Sequence, residues 1–118
     1  MQIQSFKDII AWQKAHKLVL QIYGYTDKFP KSEVFCLVSQ MRRCSVSIPS
    51  NIAEGFKRKS INDSLHFYNI SQGSLEELRY QLLLSKDLKY ITEDEYKIAE
   101  ILADEVGKLI YSWIKAHH

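Results

Sequence analysis

The chain has 118 residues and a mass of 13.8 kDa, and it is 46% hydrophobic and 25% charged, values of an ordinary globular domain that exclude a disordered or fibrous chain. Its 16 Lys and Arg against 14 Asp and Glu leave a formal net charge of +2, too small by itself for a histone-like polyanion binder. Four glycines and two prolines supply too few turn residues for a strand-and-turn architecture or for a long glycine-rich phosphate loop.

Helical spacing runs from end to end. Ile9, Trp12, Ala15, Val19, Ile22, Tyr25 and Phe29 recur at steps of three and four, one buried stripe on a first helix. Phe29-Pro30 closes it, because a residue before proline is pushed out of the helical region. Ser32 is placed to cap a second helix with the stripe Phe35, Val38, Met41, Ser45, Ile48 and Ile52. Pro49 should kink that helix, since it deletes a backbone bond and clashes with the Ser45 carbonyl. Gly55 reads as its end signal, followed by Lys57-Arg58-Lys59.

Ser60 can cap a third helix, with Asp63 at its third position and Leu65, Tyr68, Ser71, Leu75, Leu78 and Leu82 turned inward. Gly73-Ser74 interrupts it, at a cost for the glycine of about 1 kcal/mol against alanine that a close approach of two helices would explain. Thr92 to Glu95 forms a capping box. It opens a fourth stripe through Tyr96, Ala99, Leu102, Val106, Leu109 and Trp113. Connections of roughly three to six residues make successive helices antiparallel neighbours. The expected fold is all-α, an antiparallel up-down-up-down four-helix bundle with helices of roughly 22 to 27 residues, in a single domain over residues 1–118.

Cys36 and Cys44 fall on one predicted helix, about 12 Å apart, too far to pair. Free thiols fit a reducing, cytoplasmic setting. The first residues lack a basic stretch followed by an apolar one, and the longest apolar run, Val34 to Val38, is five residues, so neither a signal peptide nor a transmembrane helix is expected.

Two of the stripes are wider than a lone bundle needs. Phe67, Ile70, Leu83 and Leu84 on the third helix, and Ile98, Ile101, Ile110 and Ile114 on the fourth, lie off the inward rows. Exposed contiguous apolar surface marks an interface, which predicts a homo-oligomer; a thicker core is the alternative. The charges are also uneven. Residues 1–59 hold ten bases and four acids, a balance of +6, and residues 60–118 hold six bases and ten acids, a balance of −4. A basic hairpin therefore lies beside an acidic one, and head-to-tail packing could close a ring through opposite charges.

Within the basic half the sharpest features are Arg42-Arg43 and Lys57-Arg58-Lys59. Three adjacent bases near a loop suit phosphate, and the same three also suit the negative end of a helix dipole. For Arg42 and Arg43 the alternative is ion pairing with the acidic hairpin or a neighbouring subunit. No motif for catalysis or metal binding stands out. His16 and His66 are isolated, without Cys, Asp or His at ligand spacing, and His117 and His118 are given no metal role. Glu76-Glu77 lacks the Glu-x-x-His pairs of a bundle di-metal site. Glu54 near Arg42 and Arg43 could serve as an acid or base, although a salt bridge needs fewer assumptions. The residues themselves thus predict no enzyme, no cofactor and no metal.

The run Thr26 to Glu33, then Gln40 to Gly55 with its Ser47-Ile48-Pro49-Ser50-Asn51-Ile52-Ala53-Glu54-Gly55, together with Trp12 and Gly73 to Leu78, resembles the 23S rRNA intervening-sequence protein family over nearly the whole chain. Cys44 stands where that family more often has alanine, and Tyr68 to Ser71 replaces a more apolar stretch. The resemblance implies a four-helix bundle without established catalytic residues, and a relation to the accessory protein of diversity-generating retroelements, a basic homopentameric ring that engages a reverse transcriptase and nucleic acid. It also implies a structural core at Ile48, Pro49, Ile52, Ala53 and Gly55 and surface bases at Arg42, Arg43 and Arg58, to which the charge pattern adds Lys57 and Lys59. The expectation is a non-enzymatic, cytoplasmic homo-oligomer, pentameric by resemblance, binding RNA or DNA through these five bases. The alternative is an adaptor that docks a nucleic-acid enzyme without touching nucleic acid.

Overall fold

Local capping chemistry sets where the last two helices begin. The computed structural model describes residues 2–117, so His118 lies outside the described residues. Ser5 caps a short 3-10 turn, Phe6–Asp8, in a reciprocal capping box with Asp8. Ile9 then runs extended, and α1 spans Ile10–Thr26. α2 spans Ser39–Lys57, α3 Ile61–Asp87 and α4 Glu93–His117. The Ser60 hydroxyl accepts from Asp63 N at 3.1 Å, and Thr92 and Glu95 exchange bonds at 2.9 and 3.0 Å, so two of the three predicted caps are in place. Each helix packs on the next and α1 also packs on α4, giving a four-helix bundle 43 × 25 × 19 Å in extent.

The entry to the second helix departs from the expected pattern. Pro30 is followed by a 3-10 turn, Lys31–Glu33, and a π turn, Val34–Val38. The capping side chain is Glu33, which accepts from Leu37 N, and not Ser32. In a wider turn a three-residue step no longer returns to the same face. Leu37 and Val38 therefore enter the core, and Phe35 is left 92% exposed. α1 is also shorter than predicted, 17 residues, because Ile9 and Phe29 pack into the core from outside its two ends.

The core is built mainly from Leu18 and Ile22 of α1, Met41, Ile48 and Ile52 of α2, Leu75, Leu78 and Leu82 of α3, and Ala99, Ala103, Val106 and Ile110 of α4. Ile110, expected off the inward row, is fully buried. Ile98 and Ile101 stay 55% and 71% exposed.

Small side chains hold α2 against α3. Cys44 Sγ donates to Ser74 O, the Ser47 and Ser74 hydroxyls lie 2.8 Å apart, Ser71 donates to Ile48 O and Ser64 to Gly55 O. Burial raises the Cys44 thiol to about 12, with the Glu77 charge adding to it. Cys36 is exposed, and both thiols are free.

The close helix approach falls at Gly55 and not at Gly73, where it was expected. Gly73 is exposed, with nothing within 4 Å of a built Cβ, so it marks no helix contact. Gly55 sits inside α2, and a Cβ there would fall 2.8 Å from Tyr68 Cδ1 and nearer still to Cε1. Pro49 is buried within α2, which continues through it to Lys57.

Candidate nucleic-acid interface

Adjacent positions on a helix point about 100° apart, and this separates the two arginines of α2. Arg42 turns to α1. Its Nε donates to Thr26 Oγ1 at 2.9 Å, its Nη2 lies 3.4 Å from both Tyr23 O and Asp27 Oδ1, and its guanidinium sits 4.5 Å over the Tyr23 ring. Those partners all belong to its own hairpin, none to the acidic one. Arg43 faces solvent and has no ion pair among the described residues.

The second cluster lies where α2 ends. Lys57 is in the last turn, Arg58 is extended with its N–H on Gly55 O at 3.3 Å, and Lys59 leads to the Ser60 cap. Arg58 pairs with Glu54 at 3.2 Å and lies 4.5 Å over the Phe67 ring. Lys57 and Lys59 are exposed, with no ion pair among the described residues. Position along the helix decides what these bases can do together. Arg43 and Lys57 are fourteen residues apart, roughly four turns or about 21 Å, which returns them near one face of α2. The two clusters therefore form no single patch; Arg43 and Lys57 form a track along one helix, and Lys59 extends it past the end. A track of spaced cations suits a polyanion backbone better than a compact anion.

Several acids elsewhere are engaged. Arg79 bridges α3 to α4 by bonds of 3.1 and 2.5 Å to Glu100 Oε1 and also reaches Glu76 at 3.4 Å. The Glu100 partner raises the guanidinium above its ordinary range. Lys14 to Glu105 at 3.8 Å and Lys28 to Glu95 at 3.7 Å join the basic hairpin to the acidic one. His16 lies flat against Trp12 and His66 edges onto Phe67. Among the described residues no group of three or more His, Cys, Asp or Glu side chains could hold a metal ion. No helix among them is long and apolar enough to cross a membrane.

Two grooves carry apolar surface. One, of about 510 Å3, lies along α1 and α2 between Tyr23, Val34, Val46 and Arg43. The other, of about 670 Å3, lies between α3 and α4 around Leu75, Asp104, Gly107 and Tyr111. A third hollow, at the bundle end where α2 stops, gathers Phe56, Ile61 and Trp113 beside Lys59. No linear motif marks it, because three separate segments meet there. The only signal was Phe56 standing beside the bases, with Trp113 near the end of the last stripe.

A model described as 23S rRNA-intervening sequence protein matches residues 7–112. Among solved structures, the chain is similar to a protein of unknown function from the S23 ribosomal protein family of Bacteroides thetaiotaomicron VPI-5482. The two are 27% identical with a TM-score of 0.81, and the match covers 90% of this chain and 99% of that one. No curated protein matches.

Proposed function

Because the chain belongs to the 23S rRNA-intervening sequence protein family, we propose that it is a non-enzymatic, single-domain, cytoplasmic homo-oligomer that binds RNA or DNA without strong sequence preference. The observation that carries this is the row of bases in the first hairpin: Arg43, Lys57 and Lys59 are exposed and free of acid partners among the described residues. Arg58 adds charge on the same stretch, and Arg42 fixes α2 against α1 so that Arg43 projects outward.

Assembly supplies what one subunit lacks. A single row of three bases binds weakly, and repetition around a ring, five subunits in this proposal, multiplies it through effective concentration. The exposed Ile98, Ile101, Leu83, Tyr80 and Tyr111 of the acidic hairpin form the contact surface in this reading. They face the basic hairpin of the next subunit, with its own exposed Ile10 and Leu20 on α1. Light scattering in solution then returns a multiple of the subunit mass, and a monomer removes the ring.

The experiment for binding uses labelled RNA at low ionic strength. Wild-type protein binds in a salt-dependent manner, and the Lys57, Arg58 and Lys59 to Ala variant binds with a flatter salt dependence while the oligomer stays intact. A specific feature favours a second reading, an adaptor that docks a nucleic-acid enzyme. Phe35 is almost wholly exposed and follows Val34, which lines the α1–α2 groove, and a projecting aromatic is a good anchor for a partner protein. Absence of salt-dependent binding to RNA and DNA replaces the first reading by this one.

A further inference from the structure

The hollow at the end of the bundle combines two kinds of surface. It measures about 330 Å3, and its lining includes Phe56, Tyr68 and Trp113 together with Ile61, Arg58 and Lys59. Phe56 and Trp113 have ring centroids 6.3 Å apart, tilted by 49°, and both rings remain half-buried, while the exposed His117 ring packs 3.7 Å from Trp113 and completes the aromatic wall. The Tyr68 ring closes the inner end, held beneath Gly55. Burial raises its phenol, and the neighbouring Trp113 side chain offsets this in part. At the rim Lys59 is without an acid partner among the described residues, while Glu54, a nearby acid, is held by Arg58.

A hollow walled by aromatic rings beside an unpaired cation fits a ligand that carries an aromatic ring and an anionic group a few bonds apart. The volume is at the low end for small-molecule sites, enough for one ring system with its sugar. Resting on the nucleic-acid reading above, we infer that this hollow takes one unstacked nucleobase of a single strand, with the ring against Phe56 and Trp113 and the adjoining phosphate on Lys59. Lys57 and Arg43 then follow the backbone along α2. A duplex cannot offer this contact, because its bases are held in the stack. Stacking on an aromatic side chain strengthens binding about tenfold to a hundredfold per base, so single strands bind more tightly than duplex of equal length.

The test uses the full chain and adenosine 5′-monophosphate as the probe, followed by the Trp113 indole N–H resonance in a Trp12→Phe background. Adenosine 5′-monophosphate at millimolar concentration shifts that resonance, and inorganic phosphate at the same concentration does not. Ile61 is exposed in the first turn of α3, where an acid is tolerated by the helix dipole. Ile61→Glu therefore keeps the fold and places a carboxylate at the hollow. It weakens single-stranded oligoadenylate about tenfold more than duplex RNA of the same length. A Trp113 resonance unmoved by the nucleotide, or equal weakening of single strand and duplex by Ile61→Glu, overturns the base site and leaves salt-dependent backbone binding standing. Loss of all salt-dependent binding by wild-type protein overturns both.

Discussion

Replacing Gly55 by alanine tests how α2 meets α3. In an open helix the change is favourable by about 1 kcal/mol, since alanine has the better helix propensity. Here the added Cβ would fall 2.8 Å from Tyr68 Cδ1 and nearer to Cε1. The ring is held in place, because Tyr68 is 1% exposed and the Ser64 hydroxyl, one turn before it, ties α3 to the Gly55 carbonyl at 2.8 Å. Overpacking of a rigid core costs about 3 kcal/mol at the upper end of its usual range. Subtracting the helix gain leaves a net loss of about 2 kcal/mol, or roughly 6–10 °C in Tm for a chain of this size. Thermal and urea denaturation at one fixed protein concentration measure it. Gly73→Ala is the internal control, the same change in a helix with nothing near the new methyl, and it raises stability by about 0.5–1 kcal/mol. Tyr68→Leu in the Gly55→Ala background recovers part of the loss in a double-mutant cycle. Equal and favourable effects of Gly55→Ala and Gly73→Ala would refute the close approach.

Three further outcomes follow from local chemistry. Cys36 is exposed, and Cys44 is buried with its thiol raised to about 12, so a thiol reagent at neutral pH titrates one cysteine quickly and the second only on unfolding. Asp8 accepts from Gln4 N at 2.9 Å and Ser5 N at 3.1 Å, and those bonds lower its carboxyl below 3.8. Its contribution is therefore present above the unfolded carboxylate value and is lost as pH falls through the lowered folded one. The Tm difference between wild type and Asp8→Asn shrinks in that acid range and is constant at neutral pH. Lys89 has φ of 65° just after α3, where its N–H reaches Lys86 O at 2.9 Å, so Lys89→Gly raises stability by about 0.5–1 kcal/mol in the same denaturation assay.

Helix number, order and the caps of α3 and α4 were legible in the sequence because they depend on local signals, whereas the cap expected at Ser32 is supplied by Glu33. Ser60 with Asp63, and Thr92 with Glu95, act within one turn of chain. Readings that failed depended on packing or on an altered turn. The three-residue step from Phe35 to Val38 reads as one stripe only if the turn is α-helical, and the π turn places Phe35 outside. Gly73 and Gly55 look alike in sequence, and only the position of Tyr68 makes one of them indispensable. Ile110 reads as off-row by spacing and is buried, while Ile101, an equal isoleucine nine residues earlier, is not.

The candidate interface divides in the same way. Clustering of bases in the first half is a property of the sequence. Arg42 beside Arg43 gives no sign that one lies over Tyr23 and the other stays free, since this depends on where α1 packs. The hollow between Phe56, Ile61 and Trp113 joins residues from three helices, so no linear motif marks it.

The central claim, that unpaired bases of α2 and its end hold a nucleic-acid backbone, is tested most directly by the slope of log binding constant against log salt for single-stranded RNA. Three unpaired bases, Arg43, Lys57 and Lys59, predict a slope of about −2 for each subunit engaged. Changing all three to alanine brings the slope toward zero while the melting temperature stays near that of wild type. A wild-type protein that does not bind RNA at low ionic strength, or a triple variant that keeps the wild-type slope, contradicts the account.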